Sequence, residues 1–182
     1  FYIGDHGWYD KRWMYDESLM MPLIVKWPGV AKPGSKNKDL VQNLDYAETF
    51  LDVAGADVPG DMQGASLVPL LKGKTPSDWR NSIYYHYYEY PSVHMVPRHY
   101  GVRNHDYKLM KFYQFDEWEF YDLKNDPDEL QNEYNNPEYA DQIAMMKKEL
   151  DRLRKHYDDD SDVAVQPIEW QQKMRQPAVA TN

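Results

Sequence analysis

Hydrophobic positions recur with a helical period near the end of the chain. Apolar side chains stand at alternating spacings of four and three over residues 139–157, which predicts an amphipathic helix. The positions are Tyr139, Ile143, Met146, Leu150, Leu153 and Tyr157. Acidic residues open this stretch and basic residues close it, as the helix dipole favours. We expect the helix to cover one face of a sheet.

The residues before this helix show strand patterns. Four strand-length runs, rich in tyrosine and other residues that favour strands, are separated by turn signals. They span residues 82–90, 100–103, 108–113 and 118–123. Such runs predict a small antiparallel sheet of about four strands. Asp126-Pro127 predicts a further short helix through Tyr134, and Asn136-Pro137 repeats the same capping pattern.

The first half of the chain shows two further elements. Pro22 to Trp27 is an apolar run closed by a turn signal, which predicts a buried strand that joins a larger sheet. Asp45 to Ala54 predicts a helix with Asp45 as its N-terminal cap and Gly55 as its C-terminal cap. The apolar positions of this helix are Ala47, Phe50, Leu51 and Ala54. We expect that face to pack inward.

These patterns divide the chain into three predicted parts. Residues 1–77 fit the end of a larger α/β domain, and residues 78–157 fit an α+β subdomain. Residues 55–80 predict loop, apart from a helical turn at 67–71. Residues 158–182, which open with three aspartates, predict an acidic, largely irregular and solvated tail. We expect the subdomain to be the more stable part. The aromatic side chains of the opening loop should be exposed or should find a substitute surface, for example on another copy of the chain.

The composition argues against several classes of function. The formal net charge of −9 argues against nucleic-acid binding and against an anionic membrane surface, since both need a basic face. No apolar run reaches the length of a membrane span. The absence of cysteine excludes thiolate metal sites and cysteine nucleophiles within these residues. Phe1-Tyr2-Ile3 is typical of the interior of a sequence, so we expect the chain to belong to a longer protein.

The densest chemistry lies in the opening stretch from Gly4 to Pro22. Two glycines bracket Asp5-His6, Lys11 follows, and aromatic residues fill the positions between. Glycines let a backbone approach a ligand closely, and a lysine on such a loop suits a sulfate or phosphate oxygen. Composition alone leaves an alternative open, which is an aromatic-rich surface loop with a solvated lysine.

Residues 4–29, GDHGWYDKRWMYDESLMMPLIVKWPG, resemble a segment of type I sulfatases. That segment reads Gly-Glu/Asp-His-Gly, a few residues, Lys, then Tyr-Glu and a hydrophobic strand led by proline. The resemblance continues around residues 43–45, 62–67 and 121–127, and covers residues 1–157. It implies the C-terminal part of an alkaline-phosphatase-like fold, in which Lys11 contacts the substrate sulfate and assists the leaving oxygen. The form Asp-Lys-Arg-x-x-Tyr-Asp/Glu is similar to that of N-acetylglucosamine-6-sulfatases.

The resemblance also implies a calcium ion and a formylglycine nucleophile. The formylglycine arises from Cys/Ser-x-Pro-x-Arg, a pattern that this chain lacks, so we expect the chain alone to be inactive. Asp5-His6-Gly7 looks like the family's metal motif but precedes Lys11 too closely, so we expect the calcium ligands upstream of Phe1 and none in this chain. Asp5 and His6 then become candidate loop-shaping residues that support the site. His6 is also a candidate catalytic residue, with a purely structural histidine as the alternative.

A second set of candidates lies on the first two predicted strands and between them. Histidine, arginine and tyrosine side chains there could line the mouth of a pocket, where stacking and directed hydrogen bonds suit a sugar ring. The set comprises His86, Tyr87, Tyr90, His94, Arg98, His99, Tyr100 and Arg103. From it we take His94, Arg98, His99 and Arg103 as candidate substrate-binding residues. The alternative is a tyrosine-faced sheet with solvated basic edges.

The resemblance therefore predicts a sulfatase that acts on a sulfated carbohydrate, with a 6-O-sulfated N-acetylhexosamine as the favoured substrate. The N-terminal catalytic portion of the same protein would be its partner, in the periplasm or outside the cell. Two alternatives stay open. Phosphonate monoester and phosphodiester hydrolases of the alkaline phosphatase superfamily have a similar loop with a lysine. A tyrosine-rich sheet also suits a non-catalytic sugar-binding module.

Overall fold

The structure is a computed structural model that describes residues 1–90, 92 and 94–159. Its strands are β1 (Tyr2–Ile3), β2 (Tyr9–Asp10), β3 (Ser82–Tyr87), β4 (His99–Asn104), β5 (Tyr107–Phe112) and β6 (Glu117–Asp122). Its α-helices are α1 (Asp16–Leu19), α2 (Asp45–Ala54), α3 (Val68–Leu71) and α4 (Ala140–His156). Short 3-10 turns at Asp5–Gly7 and Pro137–Tyr139 complete the regular structure of the described residues. The mixture of helix and antiparallel sheet confirms the predicted α+β class.

Strands β3 to β6 form a four-stranded antiparallel sheet in sequence order. Helix α4 covers one face of this sheet, as its apolar period predicts. A core forms there from buried side chains of both layers, namely Tyr100, Val102, Leu109, Phe120, Ile143, Met146, Leu150 and Leu153. Burying a large apolar side chain stabilises the fold by roughly 1.5 to 3 kcal/mol, so this core holds the helix against the sheet. Asn136 caps the start of this region by accepting a hydrogen bond from the Glu138 amide, as predicted.

The opening segment, residues 1–19, covers the opposite face of the same sheet. Tyr2, Met14 and Tyr15 are buried there together with side chains of β5 and β6. Of the two outcomes expected for the aromatic residues of this segment, Tyr2 and Tyr15 follow the second. The surface that they cover lies in the same chain, because alternate positions of the strands present a second apolar face. Exposure is confirmed for Trp8 and Tyr9, which are 45% and 75% exposed. The predicted bounds at residues 77 and 157 stay a prediction.

Helix α2 has the predicted bounds, and Gly55 ends it in the left-handed conformation. Its buried side is nevertheless polar, so the expectation of an inward apolar face is wrong. Phe50 is 71% exposed, whereas Asp45, Glu48 and Thr49 are buried. These three side chains accept backbone hydrogen bonds from Ala65, Gly64 and Leu67. Asp45 also pairs with Arg80 instead of capping its own helix, because the loop after α2 folds back across this side.

Two predicted elements are absent from the described residues. Residues 22–27 have no regular secondary structure and belong to neither sheet, and Ile24 is 91% exposed. A strand needs a hydrogen-bonded neighbour, and no described strand lies beside this run. Residues 126–134 form a loop instead of a helix. The Asp126 carboxylate accepts the amides of Leu130 and Gln131, while Asn132 bonds to the Phe120 amide on β6, so the chain is tied down before a helix forms.

The start of the predicted tail also differs from the prediction. Asp159 is 8% exposed, so its expected solvation is wrong. Its carboxylate accepts hydrogen bonds from the hydroxyls of Tyr84 and Tyr88 and contacts the His86 ring. These contacts replace the hydrogen bonds that the carboxylate would make to water. The rest of the predicted tail, residues 160–182, lies outside the described residues. Among the described helices, none has the length and apolar character that crossing a membrane requires.

Candidate functional site

Lys11 lies at the point where the opening hairpin meets the large sheet. It follows β2 directly, and its side chain is exposed. No described carboxylate lies within ion-pair distance of its ammonium group. Its neighbours Asp10 and Arg12 form an ion pair with each other, and Asp10 also lies 3.2 Å from Nδ1 of His94. Lys11 is therefore an uncompensated cation beside a small charged cluster.

Each residue of the segment that follows Lys11, residues 12–16, has its own partner on the sheet. We name these residues the anchored segment. The Tyr85 hydroxyl donates a 2.9 Å hydrogen bond to the Arg12 carbonyl, and the Trp13 ring stacks on His99 with centroids 5.9 Å apart. Met14 lies over Gly101, where an added Cβ would come within 2.5 Å of the methionine sulfur. The sheet thus fixes the backbone immediately after Lys11.

Tyr15 and Asp16 complete the anchored segment with polar contacts. The Tyr15 hydroxyl donates a 2.8 Å hydrogen bond to Glu119 on β6. Burial raises the pKa of the Glu119 carboxyl, and the hydrogen bonds from Tyr15 and Tyr121 offset only part of this effect. Burial likewise raises the pKa of the Tyr15 hydroxyl, so at both residues burial acts against the charged form.

Asp16 joins a network of four charged side chains beneath the anchored segment. Its carboxylate accepts two hydrogen bonds from Arg103, at 3.0 and 2.8 Å, and a third from Lys108 at 2.7 Å. Lys108 also pairs with Glu129 at 2.6 Å, and both of these residues are almost fully buried. Burial acts to raise the pKa of Asp16, but the hydrogen bonds from Arg103 and Lys108 outweigh it and lower the pKa. Burial raises the pKa of the Glu129 carboxyl, and its pairing with Lys108 offsets only part of this effect.

His6 lies behind this loop, not beside Lys11 in an open pocket. Its ring stacks on Tyr15 with centroids 4.4 Å apart, and its Nε2 lies 3.5 Å from Glu17. His6 itself adopts a positive φ of 51°, and Asp5 accepts the Ile3 amide. This geometry matches the loop-shaping role that we predict for both residues. A direct catalytic role for His6 stays a prediction.

The four candidate substrate-binding residues lie in different environments. His94 is 39% exposed at its side chain and contacts Asp10, so it lies beside Lys11 and Arg12. Arg98 is buried, and its Nε donates to the Tyr88 carbonyl. His99 is fully buried under Trp13, and burial lowers the pKa of its imidazole to about 4. Arg103 binds Asp16. Of the four, His94 alone contacts a residue adjacent to Lys11 and is partly exposed, and the binding roles of all four stay predictions.

Another polar cluster lies at the far side of the sheet, where α4 ends. The Asp159 carboxylate contacts Nδ1 of His86 at 2.6 Å, and the His86 Nε2 lies 3.1 Å from the Tyr113 hydroxyl. Burial acts to raise the pKa of Asp159, but the hydrogen bonds from Tyr84, His86 and Tyr88 lower it overall. This cluster fastens the end of α4 to β3, on the sheet face away from Lys11.

Sequence reasoning missed the buried side chains of Lys108 and Glu129 and the half-buried side chain of Glu119. One signal was available for Lys108 and Glu119, because each alternates with apolar residues on a strand whose two faces are both covered. Glu129 carries no comparable signal, since its place depends on an irregular loop with a positive φ of 52°. In the described part of the chain, no three His, Asp or Glu side chains are grouped to hold a metal ion.

The family model for the C-terminal region of N-sulphoglucosamine sulphohydrolase matches residues 4–156. An N-acetylglucosamine-6-O-sulfatase of Bacteroides thetaiotaomicron is 51% identical over 162 residues, which cover 87% of this chain and 29% of the relative. An ulvan-active sulfatase of Formosa agariphila is 32% identical, over 84% of this chain and 38% of the relative. The chain thus spans about a third of the length of these relatives.

Solved structures agree with the sequence relatives. BT4656, solved in complex with its substrate D-glucosamine-2-N,6-O-disulfate, superposes with a TM-score of 0.85 at 50% identity. The match covers 88% of this chain and 33% of that chain. A phosphonate monoester hydrolase from Silicibacter pomeroyi superposes with a TM-score of 0.63, over 72% of this chain and 28% of the hydrolase chain. The two sequences are 24% identical, so this likeness shows a shared fold alone. The chain therefore belongs to the family of N-sulphoglucosamine sulphohydrolase C-terminal regions, and it corresponds to the C-terminal part of a sulfatase.

Proposed function

We propose that this chain completes the active site of a sulfatase that hydrolyses the 6-O-sulfate ester of an N-acetylglucosamine or a related glucosamine. The observation that carries the proposal is the 51% identity, over 87% of the chain, with an N-acetylglucosamine-6-O-sulfatase. The glucosamine disulfate in the complex of BT4656 supports the same class of substrate. Phosphonate ester hydrolysis has weaker support, since the likeness there concerns the fold alone.

Lys11 is the residue that we assign to the sulfate. Its ammonium group is exposed and has no described carboxylate partner, while the chain after it is fixed to the sheet. Negative charge grows on the ester oxygen as the sulfate bond breaks, so a fixed cation there stabilises the transition state more than the ground state. Lys11 thus binds a sulfate oxygen and assists the departure of the sugar oxygen.

The neighbouring cluster is suited to the sugar. Arg12 and His94 both contact Asp10 and lie beside Lys11, so donors and an acceptor converge where the sugar ring would follow the sulfate. Directed hydrogen bonds of this kind orient a sugar, and the exposed ring of Trp8 offers an apolar surface nearby, 5.1 Å from Trp13. In this arrangement His99 and Arg103 act from beneath, His99 by packing on Trp13 and Arg103 by its ion pair with Asp16.

The family resemblance implies calcium and formylglycine for the proposed enzyme. Within the described residues, no group of His, Asp or Glu side chains fits a metal ion. We propose that residues outside this chain supply both groups, with Asp-His, Asp-Gln or Asp-Asn followed by Gly immediately before Phe1. We also propose a periplasmic or extracellular location for the complete enzyme. The sequence upstream of Phe1 tests these proposals directly.

The functional test uses the complete protein, with the catalytic portion joined to this chain. Lys11→Ala is expected to lower kcat on N-acetylglucosamine-6-sulfate by roughly a hundredfold, as removal of one transition-state contact does. Lys148→Ala is the matched control, because Lys148 is an exposed lysine on α4, on the opposite side of the sheet. A loss of activity that only follows the amount of folded protein would make Lys11 structural.

Two further arms of the same test separate the alternatives. Faster turnover of a phosphonate monoester than of the sulfate ester would favour the phosphonate hydrolases. Binding of sulfated glucosamine by the complete protein without any hydrolysis would favour a non-catalytic sugar-binding module. The chain by itself is expected to show no turnover, since it lacks the nucleophile pattern.

A further inference from the structure

Lys11 stands between two residues with strained backbones. Asp10 has a φ of 130° and Arg12 a φ of 104°, and neither is glycine. Residues with a side chain rarely adopt positive φ, and such conformations persist only where the surrounding structure enforces them. The backbone around Lys11 is therefore held in place against its local preference.

Two side chains from separate elements enforce the conformation of Arg12. The Ser18 hydroxyl on α1 accepts a 3.2 Å hydrogen bond from the Arg12 amide. The Tyr85 hydroxyl on β3 donates a 2.9 Å hydrogen bond to the Arg12 carbonyl. Because both backbone groups of Arg12 are occupied, the peptide planes on each side of this residue are fixed, including the one that joins it to Lys11.

Tyr85 is the firmer of these two supports. It lies on a central stretch of β3, paired with Gly101 on β4, whereas Ser18 lies on a helix of four residues. Its ring packs against His99 with centroids 5.6 Å apart and borders the core under the opening segment. Burial also raises the pKa of its hydroxyl to about 12, so the group stays a hydrogen-bond donor across the neutral pH range.

We propose that Tyr85, assisted by Ser18, is a positioning residue for Lys11. It acts through the Arg12 carbonyl, keeps the strained backbone in place and directs the lysine ammonium outward to the sulfate. This inference rests on the role proposed above for Lys11. It assigns a function in turnover to a tyrosine hydroxyl that touches neither substrate nor nucleophile.

The test is a double-mutant cycle in the complete protein. Tyr85→Phe removes one oxygen atom and keeps the ring, so the core under the loop stays filled. We expect kcat to fall roughly ten- to a hundredfold, as small misplacements of catalytic groups do, with little change in KM. In the Lys11→Ala background, the same Tyr85→Phe change should leave kcat unaltered, because the residue it positions is gone. Ser18→Ala should behave in the same way with a smaller effect.

Tyr139→Phe is the matched control. Its hydroxyl also donates a hydrogen bond, to the Asp122 carboxylate, but on the sheet face covered by α4. It should leave kcat unchanged in both backgrounds. Equal losses from Tyr85→Phe with and without Lys11 would show a general structural role and would overturn the proposal.

Hydrogen exchange separates this proposal from the assignment of Lys11 itself. Amide exchange over residues 10–13 of the complete protein should become faster in Tyr85→Phe and stay unchanged in Tyr139→Phe. If Lys11→Ala leaves kcat intact, the role of Lys11 fails, whatever the exchange shows. If Lys11→Ala lowers kcat but Tyr85→Phe changes neither exchange nor kcat, the positioning role fails while the proposed function stands.

Discussion

The sulfur of Met14 fills the space in which Gly101 would carry a Cβ. A methyl group built on Gly101 would lie 2.5 Å from that sulfur and 2.5 Å from the Leu109 carbonyl oxygen. The opening segment therefore approaches the middle of the sheet more closely than any other residue at position 101 would allow. This contact links the loop that carries Lys11 to β4 and β5.

Gly101→Ala should consequently displace the anchored segment. We expect a loss of about 1 to 3 kcal/mol in the free energy of unfolding, as overpacking of a filled site costs. Denaturant unfolding measures the loss, and faster exchange in residues 12–16 locates it. Gly60→Ala is the control, since a Cβ at Gly60 meets nothing within 4 Å. Equal stability of the two variants would contradict the close approach of Met14.

The buried Lys108 should be more important for stability than any exposed lysine. Lys108→Met leaves Glu129 buried without its cation and removes one of the two cations at Asp16. Breaking a buried pair in this way costs about 3 to 5 kcal/mol in the free energy of unfolding. Adding Glu129→Gln to Lys108→Met should recover part of the loss, because the unpaired charge disappears.

Lys124→Met serves as the control for this network. Lys124 pairs with Asp106 at 3.0 Å on the surface, with 66% of its side chain exposed. Solvent screens such pairs, so unfolding in denaturant should be almost unchanged. A similar loss in Lys108→Met and Lys124→Met would show that the buried network contributes nothing beyond surface charge.

His99 should make the fold sensitive to mild acid. Burial lowers the pKa of its imidazole from the usual 6.5 to about 4, so the unfolded chain binds the proton more readily. The stabilisation that the neutral His99 ring contributes is complete above pH 6.5, and it is lost as the pH falls toward 4. The shift corresponds to about 3 kcal/mol in the free energy of unfolding.

Unfolding at a series of pH values measures this dependence. His99→Phe should remove the loss of stability between pH 6.5 and 4, whereas replacing the exposed His105 with Asn should leave it as in the wild type. The other titratable groups are the same in the wild type and in His99→Phe. The quantity to compare is therefore the difference in stability between the two proteins at each pH. Parallel pH profiles for wild type and His99→Phe would refute the assignment.

The attachment of the end of α4 to β3 should depend on the Asp159 carboxylate. Asp159→Asn weakens the hydrogen bonds from Tyr84 and Tyr88 and removes the charge beside His86. We expect a loss of about 1 to 3 kcal/mol in the free energy of unfolding, with faster amide exchange in β3. Asp158→Asn, at the adjacent exposed position, is the control. If both substitutions behave alike, Asp159 is not an anchor.

Local sequence was sufficient wherever one pattern dominated a whole element. The period of α4, the strand runs of β3 to β6 and the Gly55 cap were predicted, because backbone preference and apolar spacing agree there. The motif around Lys11 also identified the family through local spacing alone. It needed no knowledge of which side chains meet.

The tertiary structure decided which faces are covered and which polar groups are buried. The period of α2 indicated an apolar face, but the loop after it supplies backbone donors, so Asp45 and Glu48 turn inward instead. The contacts that support the segment after Lys11 could not be predicted from the sequence either. Tyr85, Gly101 and Lys108 meet the opening segment only because the sheet brings residues distant in sequence onto one face. Local preferences contain no information about such contacts, since these arise only when separate parts of the chain pack together.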